Sequence, residues 1–354
     1  MRTNGIGVSL NALPLDQMRR FAVAMDAAGF HSAWFPEIIF SDALTPMTVI
    51  GLETNNLRLG TGIVGPWSRS PVVMAMTLAT LSHLCPGRII LGLGTQARPY
   101  VENWHGRDYQ RPLLAMREYI TILKSVLAGE LVNYAGQIFR VKDFQLKLPP
   151  PEPVPIYMAA IGPKMVQLAG EIADGLLGTL FPIPYVRDVV IPRLKAGAEK
   201  SGRSLDGFVV SNSLPTLVTE DDSAFELNRG QVMQFATAEK SSPAYAECVA
   251  AAGFADELTA VKEYVAARDF DAALSAIPFE MVDALSLSGT AEQVRTRVAA
   301  YHDAGVHIPQ ALPSPPGVYY PLYEGHLAGA TFPEFSFPDF LGGIERLVAQ
   351  LGST

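Results

Sequence analysis

Apolar positions along the chain recur with two periods, and the switches between them outline the elements. Residues 4–10 (NGIGVSL) read as a first strand. Pro14 then opens a helix in which Leu15, Met18, Phe21, Ala22 and Met25 share one face, and Gly29 ends it. A second strand is expected at 31–35 (HSAWF), a helix at 45–54, and a third strand within 56–64 (NLRLGTGIV). Gly60 and Gly62 in that run predict a bulge or a close backbone approach. A helix at 72–84 and a fourth strand at 88–93 (RIILGL) follow, then an amphipathic helix at 112–127. Residues 132–140 form a small excursion with a turn at Gly136, and five prolines between Pro149 and Pro155 lead stiffly into a fifth strand at 154–160. Gly162 and Pro163 start the next helix, which reaches 172. Strand six falls at 174–180, a helix at 187–201 and strand seven at 207–218. Residues 220–284 are mostly helical, with a strand fragment at 284–287. A helix at 290–304, the last strand at 306–311, a tail rich in proline and aromatics at 313–338 and a final helix at 340–351 complete the pattern.

Strands alternating with helices through short connections, with no break in composition, predict an α/β fold. The expected form is a (β/α)8 TIM barrel over 1–354 as one domain, with 220–284 as a helical insertion between strands 7 and 8. A doubly wound open sheet with a helical appendage is the rival topology. The 354 residues are 49% apolar and 18% charged, which excludes a disordered chain. A net charge of -8 removes the global basic footprint of a nucleic-acid binder. Cys85 and Cys248 are far apart and make no CxxC pair, so neither a disulfide scaffold nor a zinc site is expected, and a reducing cytoplasm is. Residues 1–10 lack the apolar core of a secretory signal, and the uncharged run 70–87 is broken by prolines and polar residues, so it predicts a buried helix and no membrane partner.

Barrel enzymes carry their sites at the C-terminal ends of the strands. Those ends hold Ser9 and Asn11, then Glu37, then 62–65, then Gly94, Thr95, Gln96 and Arg98, then 159–164, then Thr179 and Leu180. No closely spaced His/Asp/Glu cluster is present, so no metal is expected. A GxSxG elbow, a GxGxxG turn after the first strand and a P-loop are missing too. What remains is glycines and small polar residues flanked by Trp34, Trp67 and Tyr100, which would let a flat ring approach the backbone. Gly162-Pro163-Lys164 has the form of a phosphate-binding helix start, although an ordinary helix start reads the same way. His31 and His105 are better explained by packing and a surface turn, and Met74 and Met76 by helix packing.

Four stretches resemble the luciferase-like monooxygenase superfamily: 59–71 (LGTGIVGPWSRSP), 86–96 (PGRIILGLGTQ), 155–175 (PIYMAAIGPKMVQLAGEIADG) and 288–305 (SGTAEQVRTRVAAYHDAG). Within it, the GPKM…LAGE…ADG signature is similar to that of the branch using coenzyme F420, which includes methylenetetrahydromethanopterin reductase. The resemblance implies a (β/α)8 barrel with the cofactor at its C-terminal mouth. It places Gly62, Ile63 and Val64 behind the deazaflavin ring, in a segment where relatives hold a non-prolyl cis peptide. Thr95 and Gln96 would flank the ring, and Ala160, Ile161, Gly162, Pro163 and Lys164 would hold its edge and the phosphate. The chain departs from the pattern at Pro36-Glu37-Ile38, where relatives often carry Asp-His, and at Ser9, where the reductase is acidic. The methanopterin substrate is therefore not carried over.

The implied activity is hydride transfer between F420 and a small organic substrate. Glu37, set between apolar neighbours, is the candidate catalytic proton donor, with capping of a loop or pairing to Arg69 or Arg98 as the other reading. Lys164, Arg69 and Arg98 would form a local basic patch for the anionic cofactor tail. The alternatives are an FMN-dependent monooxygenase using reduced flavin and oxygen, and a flavin-binding protein without turnover. Relatives are usually dimers through helices two and three, so a homodimer is expected, and the tail 318–338 is expected over the mouth or a neighbouring subunit.

Overall fold

A computed structural model describes residues 5–10, 13–238, 244–313 and 337–352, without the side chains of 337–341. Asn11 and the tail 318–336 lie outside the described residues. The barrel strands are β1 (Gly7–Ser9), β2 (Ser32–Phe35), β3 (Arg58–Thr61), β4 (Ile89–Leu93), β5 (Ile156–Ala159), β6 (Gly175–Thr179), β7 (Val209–Val218) and β8 (Ile308–Leu312). Their order is β7-β8-β1-β2-β3-β4-β5-β6, and a further pairing of β6 with β7 closes the ring. The fold is a closed eight-stranded parallel barrel surrounded by helices, as expected; the open sheet is excluded by the closing pair.

The described residues group into two compact units. One holds Ser32–Leu177 and Arg193–Val209. In it, the missing side chains of two glycines let large or rigid groups come close. A Cβ on Gly60 would lie 2.4 Å from the Trp34 ring, and one on Gly92 would lie 1.9 Å from the Thr61 carbonyl oxygen. Helix Pro71–Leu84 starts with Ser70 as its cap, the hydroxyl accepting from the Val73 N–H at 3.2 Å. The excursion at 132–140 is the centre of a longer antiparallel hairpin, Leu131–Ala135 with Arg140–Gln145.

The other unit holds the remaining described residues, including β7 from Val210 onward, β8 and β1. Between β7 and β8 lie helices Ser223–Ala236, Ala244–Ala251, Ala255–Ala267, Phe270–Ser275 and Phe279–Leu285. Their inward faces share a buried apolar cluster that includes Val232, Met233, Val261, Ile277 and Met281. The strand fragment expected at 284–287 falls later, at Leu287–Gly289, because Phe279–Leu285 stays helical; it pairs in parallel with Thr216, Leu217 and Val218. The helix expected from 187 starts at Ile183 and passes through a π-helical stretch, Val186–Val190, before Ile191–Ser201. Thr290 and Gln293 form a reciprocal capping box on Ala291–Asp303. Among the described residues, no helix is long and apolar enough to cross a membrane, and no group of His, Cys, Asp and Glu could hold a metal ion.

Candidate active site

The strand-end segment after β3 carries one extra residue relative to β4. Gly60 lies opposite Ile90, whereas Val64 lies opposite Leu93, so four steps on one strand match three on the other. The extra length is a bulge. It is fastened on both sides: the Gly62 N–H donates to Phe35 O at 2.8 Å, the Glu37 N–H to Ile63 O at 3.1 Å, and the Val64 N–H to Gly92 O at 3.1 Å. The Gly62–Ile63 peptide is cis, in the segment where the resemblance implied such a bond. Ile63 reaches over Gly94 and Ala159, since a Cβ on Gly94 would sit 2.6 Å from Ile63 Cδ1 and 2.8 Å from Ala159 Cβ. Gly62, Ile63 and Val64 thus stand beside the ends of β2, β4 and β5.

Thr95 and Gln96 follow β4. Gln96 has φ 57°, a left-handed conformation that costs a non-glycine residue about 1–2 kcal/mol. Its carboxamide lies on Gly65, where a Cβ would be 2.2 Å from Oε1. Among the described residues, Gln96 Oε1 is buried with no hydrogen-bond partner, and Trp67 Nε1 shares that condition. Buried polar atoms are rarely left so, and each is a place where a bound group can pair.

Glu37 is the point at which the two readings of the sequence separate. Arg69 Nη1 donates to Oε1 at 2.7 Å and Oε2 at 2.5 Å, and Ser68 Oγ donates to Oε1 at 3.0 Å. The Arg69 partnership is therefore formed, and the one with Arg98 is not. The bulge brings Ser68 and Arg69 back to the end of β2, so Glu37 meets three hydrogen-bond donations rather than the apolar surroundings its sequence neighbours suggested. Arg98 instead pairs with Glu102 at 2.8 Å and lies over the Tyr109 ring. This corrects the expected basic patch: of its three members, Lys164 alone makes no ion pair with a described residue.

At the end of β5 the Ala160 N–H donates to Leu177 O at 3.1 Å. Ile161 leads into Gly162, which caps Pro163–Ile172 without a side-chain hydrogen bond, and Pro163 takes the first helical position. Met165 and Val166 N–H both turn back to Gly162 O at 3.0 Å, and Lys164 is exposed. The rest of the signature serves the framework. Glu171 is held by Arg117 and, at 2.7 Å, by Lys200. Burial would raise its pKa, but these two cations outweigh that and lower it. Asp174 accepts from the Ile156 N–H at 2.9 Å and from Lys124 at 2.8 Å. Glu118, Tyr119 and Phe139, which also reach toward this region, carried no signal in the sequence beyond the turn at Gly136. Ser9 is buried on β1, and Trp104 stacks on Tyr100 beside His105.

A flat heterocycle with a phosphodiester fits these residues. Among the described residues, Gln96 Oε1 and the Thr95 hydroxyl have no hydrogen-bond partner and can meet ring-edge groups, and the helix start at Gly162, which lacks a side-chain cap, can meet a phosphate together with Lys164, which has no ion-pair partner.

The family model for luciferase-like monooxygenases matches residues 2–307. A Mycobacterium tuberculosis protein named as a coenzyme F420-dependent oxidoreductase is 31% identical over 314 residues, 83% of this chain and 90% of that one. The 5,10-methylenetetrahydromethanopterin reductase of Archaeoglobus fulgidus is 28% identical over 297 residues, 82% of this chain and 87% of its own. The structure of the coenzyme F420-dependent tetrahydromethanopterin reductase from Methanopyrus kandleri superposes with a TM-score of 0.79 at 22% identity, covering 98% of each chain. The bulged third strand, the polar end of β4 and the proline-led helix after β5 thus occur in a chain that belongs to the luciferase-like monooxygenase family.

Proposed function

We propose that this protein is a coenzyme F420-dependent oxidoreductase that exchanges a hydride between the deazaflavin and a small organic substrate. When bound, the deazaflavin supplies the hydride chemistry at its carbon 5. Gly62, Ile63 and Val64 back the ring, because the bulge puts a narrow, side-chain-poor ledge beside β4. Gln96 Oε1 accepts from the ring edge, assisted by Thr95, and Ala160 and Ile161 border it. The Gly162–Pro163 helix start and Lys164 hold the phosphate. Glu37 handles the proton. Arg69 and Ser68 orient its carboxylate and fill both acceptor positions of Oε1, so a hydroxyl proton released during substrate oxidation would go to Oε2, which accepts one bond only.

The observation that carries this reading is the buried, unpaired Gln96 Oε1, held at that position by a left-handed backbone beside the bulge. Titrating the apoprotein separately with F420 and FMN, following fluorescence, tests it. F420 binding without FMN binding is expected. Tight FMN binding without F420 binding would overturn the reading in favour of a monooxygenase. Binding with no turnover on alcohols, carbonyls and enones would leave a flavin-binding protein.

In the same reading the whole chain is one barrel domain, with the helices between β7 and β8 as an insertion. Two chains associate through the uncharged helix Pro71–Leu84, whose Val73, Met76 and Leu84 are exposed. The unpaired thiols Cys85 and Cys248 support a cytoplasmic location.

A further inference from the structure

The hairpin after helix Pro112–Leu127 has no part in the chemistry above, yet a continuous series of contacts joins it to Glu37. Glu118, 3% exposed, uses both carboxylate oxygens on the hairpin turn. Oε1 accepts from the Gln137 N–H at 2.8 Å, and Oε2 from the Ile138 and Phe139 N–H groups, each at 2.9 Å. The turn can wrap the carboxylate this closely because position 136 is glycine; a Cβ there would lie 2.3 Å from Oε2. Phe139, held by the third of these bonds, packs edge-on against Tyr119 and tilted against Trp67, with centroids 5.4 and 6.2 Å apart. The fully buried Tyr119 donates its hydroxyl to the Arg69 carbonyl at 3.2 Å. Arg69 in turn grips Glu37.

The hairpin itself gives the core little: Val132 is the one side chain of its strands that is buried. A buried carboxylate is a costly way to fasten a surface ribbon. The cost is understandable if the turn holds something else in place, and what it touches is the loop carrying Trp67, Ser68 and Arg69. We propose that Glu118 is a positioning residue of the active site, docking the hairpin turn so that Phe139 and Tyr119 fix the 67–69 loop and, through Arg69, the Glu37 carboxylate. The proposal rests on the preceding reading only in naming Glu37 as the group positioned.

The test compares Glu118→Gln, Phe139→Leu and Tyr119→Phe by amide hydrogen exchange, deazaflavin affinity and steady-state kinetics. Tyr119→Phe is the decisive variant, since it keeps the ring contacts and removes only the bond to Arg69. Expected are exchange in 67–69 faster by about tenfold in Tyr119→Phe and Glu118→Gln, and slower kcat by about tenfold with KM and cofactor affinity within about threefold. Unchanged exchange at 67–69 in Tyr119→Phe, or faster exchange confined to 137–139 in Glu118→Gln, would overturn the proposal and leave Glu118 as a clamp for the hairpin alone. If Glu118→Gln fails to fold, Tyr119→Phe and Phe139→Leu still decide. Failure of the F420 reading shows separately, as wild-type protein that does not bind the deazaflavin, while the exchange measurement stands.

Discussion

Glu37 and Arg69 are 12% and 22% exposed at their side chains, too enclosed for water to replace either partner fully. Glu37→Gln keeps the volume but turns one acceptor into a donor facing the guanidinium. Deazaflavin affinity is expected to stay within about threefold, while kcat falls by about a hundredfold or more if Glu37 is the proton acceptor. A stopped-flow measurement with saturating cofactor separates the two effects. Gly92 makes a different residue-level demand. A Cβ 1.9 Å from the Thr61 carbonyl oxygen meets backbone already fixed, because the Thr61 hydroxyl both donates to Gly92 O and accepts from Gly92 N. Gly92→Ala is expected to cost about 3 kcal/mol, read as a lowered urea midpoint with an unchanged slope. Glu37 stands out in the sequence as a candidate, with Arg69 among its possible partners, but only the folded chain selects Arg69 over Arg98. Gly92 reads as an ordinary strand residue, and nothing in a glutamine codes for the left-handed backbone of Gln96.

Elements differ in how far their sequence announces them. The helix at Pro163–Ile172 was legible because proline at its start and glycine before it act locally. The bulge after β3 was legible from Gly60 and Gly62, whereas the hairpin was visible only as a turn, its exposed strands lacking an apolar face. The signature 162–175 proved to be two things: an exposed helix start and a framework half built from Gly170, Glu171 and Asp174. Lys164→Ala should therefore weaken deazaflavin binding by about fivefold and flatten its salt dependence, measured by titration at two ionic strengths. Lys200→Ala should leave both unchanged. For the hairpin, burial of Glu118 would raise its pKa, but the N–H groups of Phe139, Ile138 and Gln137 outweigh this and lower it from the ordinary 4.5. A carboxyl with a depressed folded-state pKa stabilises the fold above its unfolded pKa and loses that contribution as pH falls through the folded value. The deficit of Glu118→Gln against wild type should thus be full at pH 7, about 1–3 kcal/mol, and should shrink below 4.5. Denaturant titrations across that range check the sign.

At the scale of the molecule, the alternation of strands and helices was enough for the barrel, because each βα unit must bury its own stripe on its neighbours and eight such units close. The site was less legible, since its parts lie at the ends of four neighbouring strands, β2 to β5, and their mutual geometry is set by strand pairing across long stretches of chain. The proposed cofactor residues all fall within the unit holding Ser32–Leu177, so their binding energy is available to the folded state of that unit. A ligand that binds the folded chain and not the unfolded one stabilises it by RT ln(1 + [L]/Kd), about 2.7 kcal/mol at a hundredfold excess over Kd. For a chain of 354 residues this corresponds to a rise in midpoint temperature of about 3–5 °C, growing with the logarithm of ligand concentration. F420 should produce that dependence in differential scanning fluorimetry, and FMN at the same concentrations should not. Gln96→Ala should reduce the shift, because the acceptor that the ring edge satisfies is removed along with its burial cost. A shift with FMN alone, or one that Gln96→Ala leaves intact, would place the ring elsewhere than on the ledge formed by Gly62, Ile63 and Val64.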